Sequence, residues 1–164
     1  MKVGKLLLKA ELSLVKLSRI LGTKKYMGLY TRFLQRRGAK VDDYEGDGFF
    51  APNLLIDDSD YRLISIGRGT TIATDVIILT HDYSIRKALK VVGLNPDNKN
   101  YRVLKPVTIG KEVFIGARST LLPGTEIGDN VIIAAGSLVK GNIPPATVWG
   151  GYRPNNCVLL RSTQ

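Results

Sequence analysis

Between Ile109 and Val139 an aliphatic residue returns every six positions: Ile109, Ile115, Leu121, Ile127, Ile133 and Val139. The next position is small in four of the six blocks, as Gly110, Gly116, Gly128 and Ala134. The fifth position is β-branched or small throughout: Val113, Ser119, Thr125, Val131, Ser137 and Ile143. A period of six matches neither the 3.6 of a helix nor the 2 of a strand. It matches a parallel β-helix, in which each hexad forms one short flat side and then turns a corner. The opening aliphatic points into a narrow core, and the small residue after it lets the chain bend beside that side chain. The expected fold class is therefore an all-β repeat. The same step recurs at Ile66, Ile72 and Ile78 and then breaks, because 31 residues separate Ile78 from Ile109. That is one more than a multiple of six, so a loop is inserted over about residues 80–106. Pro144–Pro145 is expected to end the coil, with Trp149 packing from the tail.

Charge is needed to read the other end. Residues 1–40 hold eleven Lys or Arg and one acid, Glu11, whereas the rest of the chain has thirteen residues of each sign. A coil body without net charge lacks the positive groove that nucleic acid requires, so no nucleic-acid partner is expected. Val3, Leu7, Ala10, Leu14, Leu17 and Leu21 predict a helix over 2–21, with Gly22 as its stop. Met27, Tyr30, Phe33 and Leu34 predict a second helix over 24–37, ending at Gly38. Two roles stay open for them. They can cover the open end of the coil, or residues 1–21 can dock a basic amphipathic face on an anionic membrane. The division expected is a helical segment over 1–40, a β-helix over 41–151 and a tail over 152–164. One cysteine, Cys157, rules out an internal disulfide and points to a reducing compartment. Leu6–Leu8 is interrupted by Lys9 and Glu11 and is not read as a signal peptide. The expected location is the cytoplasm, at the inner face of the membrane if the helix docks.

The only histidine, His81, stands at the root of the inserted loop. Loops leaving a rigid scaffold concentrate function, and a histidine serves as a general base near neutral pH with little adjustment. Asp82 and Tyr83 follow it and could orient its ring or bind a polar substrate.

The six-residue array, an insertion opening with THDYS and an exit reading IPP together resemble the hexapeptide-repeat acyltransferases. The resemblance is to the sugar and polysaccharide O-acetyltransferases of the nodulation, colanic-acid and maltose acetyltransferase type. It covers about residues 48–151. It implies a left-handed parallel β-helix, a homotrimer, and acetyl-CoA lying in a groove between two subunits, with no metal. It makes His81 the catalytic base that takes a proton from a sugar hydroxyl, on a surface-polysaccharide precursor. It implies backbone contacts to the pantetheine arm at Ala117 and Ala135, and a nucleotide contact at Lys140. Asn53 matches a polar residue facing the acceptor. The exit here reads GGYRPNN, without the basic residue that follows the proline in the family, so Arg153 is expected to serve the CoA phosphates instead. Two other readings compete on the same fold. A γ-type carbonic anhydrase needs three histidines per zinc, and this chain has one. A non-catalytic scaffold subunit would lack the histidine at the loop root.

Overall fold

The structure, a computed structural model, describes residues 2–44, 48–93, 101–150 and 158–159. The chain winds as a three-sided coil. One side stacks Lys40–Val41, Ile64–Ile66, Val107–Ile109, Glu126–Ile127 and Asn142–Ile143. The second stacks Phe49–Phe50, Thr71–Ile72, Phe114–Ile115, Ile132–Ile133 and Thr147–Trp149. The third stacks Leu55–Ile56, Ile77–Ile78, Thr120–Leu121 and Leu138–Val139. Pairing between these strands is parallel throughout, which fits the expected left-handed β-helix. A short strand, Val158–Leu159, then runs antiparallel to Thr147–Trp149.

The hexad positions explain the core. Ile72, Ile78, Ile115, Leu121, Ile133 and Val139 are fully enclosed. The fifth positions face inward beside them, and where they carry a hydroxyl it closes a corner. Thr125 Oγ1 donates to the carbonyl of Leu122 at 2.7 Å, Ser137 Oγ to Ala134 at 2.6 Å, and Thr147 Oγ1 to Pro144 at 2.7 Å. A buried hydroxyl without such a partner would be destabilising. The small second position is a matter of room: a Cβ on Gly116 would lie 2.4 Å from the backbone nitrogen of Ala135 in the next coil.

Two expectations fail at the far end. Ile143 does not occupy a fifth position. It pairs with Ile127, 16 residues back, and takes the place of an opening aliphatic. The cause is local: Gly141 adopts φ +83°, so Lys140–Gly141 turns the corner in two residues where Leu122–Thr125 uses four. Nor does Pro144–Pro145 end the coil. The prolines lie in a corner, where no ladder N–H is required. Pro145 packs against Gly128, Ala146 N donates to Asp129 O at 2.9 Å, and the chain re-enters the second side with Trp149 paired to Ile133. Trp149 is thus part of the last parallel strand and packs half-buried against the core.

At the other end, helix α1 (Lys2–Leu17) tightens into a 3₁₀ turn over Ser18–Leu21, and Gly22 at φ +101° separates it from α2 (Thr23–Arg36). Tyr26, Met27, Tyr30, Phe33 and Leu34 of α2 are buried. Tyr26 Oη donates to Phe50 O at 2.8 Å, and the Tyr30 ring meets Phe50 edge-on at 5.9 Å. So α2 covers the open end of the first coil. An ion pair between Glu11 and Arg37 at 2.5 Å ties α1 to the end of α2. Leu8, Leu12 and Val15 of α1 face the body, whereas Leu7, Leu14 and Leu17 are exposed. Among the described residues no helix is long and apolar enough to cross a membrane.

Candidate active site

The third side delivers the chain to the corner that carries His81. After Ile77–Ile78 the inserted loop leaves through His81–Asp82, which pair antiparallel with Val103–Leu104 on the way back. Lys105 N donates to Thr80 O at 3.0 Å and closes the root. Between these strands lies α3 (Ile85–Val91).

One coil below, another irregularity supplies the partner of His81. Ile56 pairs with Ile78 at a separation of 22 residues, four more than the 18 that separates Leu121 from Val139. The extra residues sit in the corner Asp57–Leu63, a tight acid-rich turn. Ser59 N donates to Asp57 Oδ1 at 2.9 Å, and Arg62 N to Asp60 Oδ1 at 3.0 Å. Asp57 N donates to Ile78 O at 2.9 Å, so the ladder itself fixes this carboxylate under the loop root. Its Oδ2 accepts from Thr80 Oγ1 at 2.7 Å, from Thr80 N at 3.1 Å and from His81 Nδ1 in close contact. Burial by itself would push the Asp57 carboxyl up. The hydrogen bonds from Thr80, Ser59 and His81 outweigh it and hold the group well below the usual carboxylate range.

An ionised carboxylate only accepts, so Nδ1 of His81 carries the proton and Nε2 carries the lone pair. Ser59 Oγ lies 3.1 Å from the same Nδ1, and the Tyr83 ring meets the imidazole edge-on at 4.8 Å. The His81 side chain is 26% exposed and that of Asp57 2%. The imidazole is therefore held by a buried carboxylate while part of the side chain remains exposed, which suits a base acting on an incoming hydroxyl.

The other expected residues divide between two corners. Asp82 and Tyr83 adjoin His81. Asp82 does not orient the ring: its carboxylate accepts from Ser84 N at 2.7 Å. Hydrogen bonds from the Ser84 backbone and side chain, with smaller help from the charge of Lys140, lower its pKa. Lys140 lies at the same corner as His81, two coil rises further on, about 10 Å along the axis. Asn53, Ala117 and Ala135 lie at the neighbouring corner, between the second and third sides. There the Asn53 amide exchanges hydrogen bonds with the Thr74 hydroxyl at 2.7 and 2.9 Å, and Gly116 brings Ala117 against Ala135. Arg153 lies outside the described residues. Sequence reasoning missed Asp57, Ser59 and Thr80. The run IDDSD stands one coil before THD, but the four-residue phase slip between them hides the alignment. Among the described residues no three His, Cys, Asp or Glu side chains are grouped to hold a metal.

Residues 106–140 match the model described as a hexapeptide repeat of succinyl-transferase. That stretch of the chain is a hexapeptide repeat. WbbJ of Escherichia coli (strain K12), named for lipopolysaccharide biosynthesis O-acetyl transfer, is 34% identical over 122 residues. That alignment takes in 70% of this chain and 62% of WbbJ, so the chain spans less than two thirds of this relative's length. Among solved structures, a maltose O-acetyltransferase from Clostridium difficile 630 superposes with a TM-score of 0.61 at 24% identity, over 96% of this chain and 84% of that one. A galactoside acetyltransferase in complex with coenzyme A superposes with a TM-score of 0.56 at 24% identity, over 95% and 78%. These two likenesses establish the fold.

Proposed function

We propose that this chain moves an acetyl group from acetyl-CoA to a hydroxyl of a sugar, on a precursor of a surface polysaccharide, with His81 as the general base. The observation that carries this reading is the His81–Asp57 pair at the root of the loop, in which a buried carboxylate holds Nδ1 of a partly exposed imidazole. In the proposed reaction Nε2 takes the proton of the acceptor hydroxyl as its oxygen attacks the thioester carbonyl. A C–O bond forms, a backbone N–H bears the oxyanion of the tetrahedral intermediate, and the C–S bond breaks. The imidazolium then returns its proton to the sulfur of CoA. Asp57 is a positioning residue: it fixes the tautomer and favours the imidazolium while that charge exists.

The division of residues between corners supports a homotrimer. Ala117, Ala135 and Asn53, proposed for the pantetheine arm and the acceptor, share one corner, and His81, Asp82, Tyr83 and Lys140 share the next. Two copies side by side would bring one corner of each together across a groove, with the Lys140 ammonium and Arg153 serving the phosphates of the nucleotide end. Residues 1–21 are proposed to rest on an anionic membrane, which places the enzyme at its inner face. Removing them should abolish binding to anionic liposomes, and unchanged binding would contradict that placement.

Calorimetry with acetyl-CoA on wild type and His81→Ala tests the central reading, followed by acetyl transfer to a panel of sugars. Binding of about one acetyl-CoA per subunit by both proteins, with turnover by wild type alone, is the expected result. Failure of both proteins to bind acetyl-CoA would overturn it.

A further inference from the structure

A cavity of about 410 Å³ opens beside His81, between α1 and the third side of the coil. That volume is within the range of small-molecule sites, about 300–1,000 Å³. Its walls are not those of a sugar site. It is lined by Leu8 and Leu12 of α1 and by Leu55, Ile56, Leu79 and Tyr61 of the coil. The polar lining residues are His81 and Asp57, tied to each other, with Lys9 and Asp58. A free monosaccharide needs several well-placed donors and acceptors, and an aliphatic wall supplies none. Leu55 is 52% exposed although its position lies next to the catalytic corner, so this apolar surface faces outward without being core.

We propose that this cavity holds the hydrocarbon portion of an amphiphilic acceptor, whose hydroxylated head is then presented to His81. The substrate class is accordingly a lipid-linked glycan and not a free sugar. Two observations select a hydrocarbon chain as the occupant. The leucines and His81 line the same cavity, so whatever carries the reacting hydroxyl lies beside them. The helix that forms one wall also exposes Leu7, Leu14 and Leu17 away from the cavity. A chain leaving the cavity past α1 would therefore enter the same apolar layer that these exposed leucines suit. The inference rests on the reading of His81 as the base for its catalytic sense, while the binding it asserts is independent of turnover.

Methyl, hexyl and octyl β-glucosides, kept below their micellar concentrations, provide the test by calorimetry. Each methylene buried in the cavity contributes about 0.8 kcal/mol, or about fourfold in affinity. Octyl glucoside should therefore bind about 15-fold more tightly than hexyl glucoside, with methyl glucoside far weaker. His81→Ala should keep this dependence. Leu12→Asp should lose it, as should Leu55→Asp, whose exposed position makes a folding defect an inadequate explanation. A flat response to chain length in wild type would overturn the proposal, as would an unchanged dependence in both aspartate variants. A cavity already filled by a second copy of the chain would give that flat response, and sedimentation would identify the cause. Acetyl transfer to the same alkyl glucosides, measured in parallel, separates the two claims. Turnover without chain-length dependence refutes this inference alone, and chain-length dependence without turnover refutes the catalytic reading alone.

Discussion

Replacing Asp57 with asparagine changes one atom of the site and removes the constraint behind the base. Three donors converge on Oδ2 of Asp57, from Thr80 N, Thr80 Oγ1 and His81 Nδ1, while Ser59 N takes Oδ1. An amide has one oxygen for these two clusters. If its oxygen serves Ser59, its NH₂ faces the Thr80 N–H and the Nδ1–H of His81. The histidine relieves that conflict by moving its proton to Nε2, which removes the lone pair from the side facing the substrate. If the oxygen serves His81 instead, the tautomer survives but the bond to the imidazolium loses its charge. A hydrogen bond to a charged group contributes about 1.5–3 kcal/mol, so the gentler outcome alone lowers the rate by about 10- to 150-fold. The expected loss in kcat for Asp57→Asn is on the order of 100-fold, measured as release of the CoA thiol with circular dichroism to verify folding. KM for acetyl-CoA should stay within about twofold, because Asp57 is buried behind the ring. A kcat within about threefold of wild type, or a loss lying wholly in that KM, would refute the positioning role.

Three further outcomes follow from the coil. Gly116→Ala forces a methyl to within 2.4 Å of the Ala135 backbone and should destabilise by about 1–3 kcal/mol in denaturant melts; an unchanged midpoint would show that adjacent coils can separate there. Ile115→Ala empties a fully enclosed position and should lose about 2–5 kcal/mol in the same assay. The folded state holds Asp57 below its unfolded carboxylate range, so over that interval the unfolded chain binds the extra proton and stability falls as pH is lowered. The contribution is complete above about pH 4 and is lost below it. Acid titration of Asp57→Asn should lack this component, and a superimposable acid curve would contradict the assignment.

Much of this architecture was legible because a hexad repeat reports on the core directly. The opening aliphatics from Ile66 to Val139 occupy the positions that their spacing predicts, and Tyr30, Phe33 and Leu34 mark the covering face of α2. What the spacing could not show is where a corner changes length. The four extra residues after Ile56 carry Asp57 and Ser59 out of phase with His81, although the ladder stacks them. The two residues missing around Gly141 shift Ile143 into an unexpected register and carry the chain past two prolines. Side strands are constrained by hydrogen-bonded neighbours above and below, whereas a corner need only connect them. Insertions therefore collect at corners, and the His81–Asp57 pair is built from two of them.

The 18-residue coil is also a ruler. Each turn advances the chain by one strand spacing, about 4.8 Å, and the order of strands on the third side fixes Lys140 two graduations beyond the corner of His81. Adding or removing a whole coil between them would leave every hexad in phase and every core contact in kind. It would nevertheless move the far cation by a full graduation relative to the base. The length of an extended ligand lying along the corner is thus written in the number of turns, and can be altered independently of the chemistry at its end.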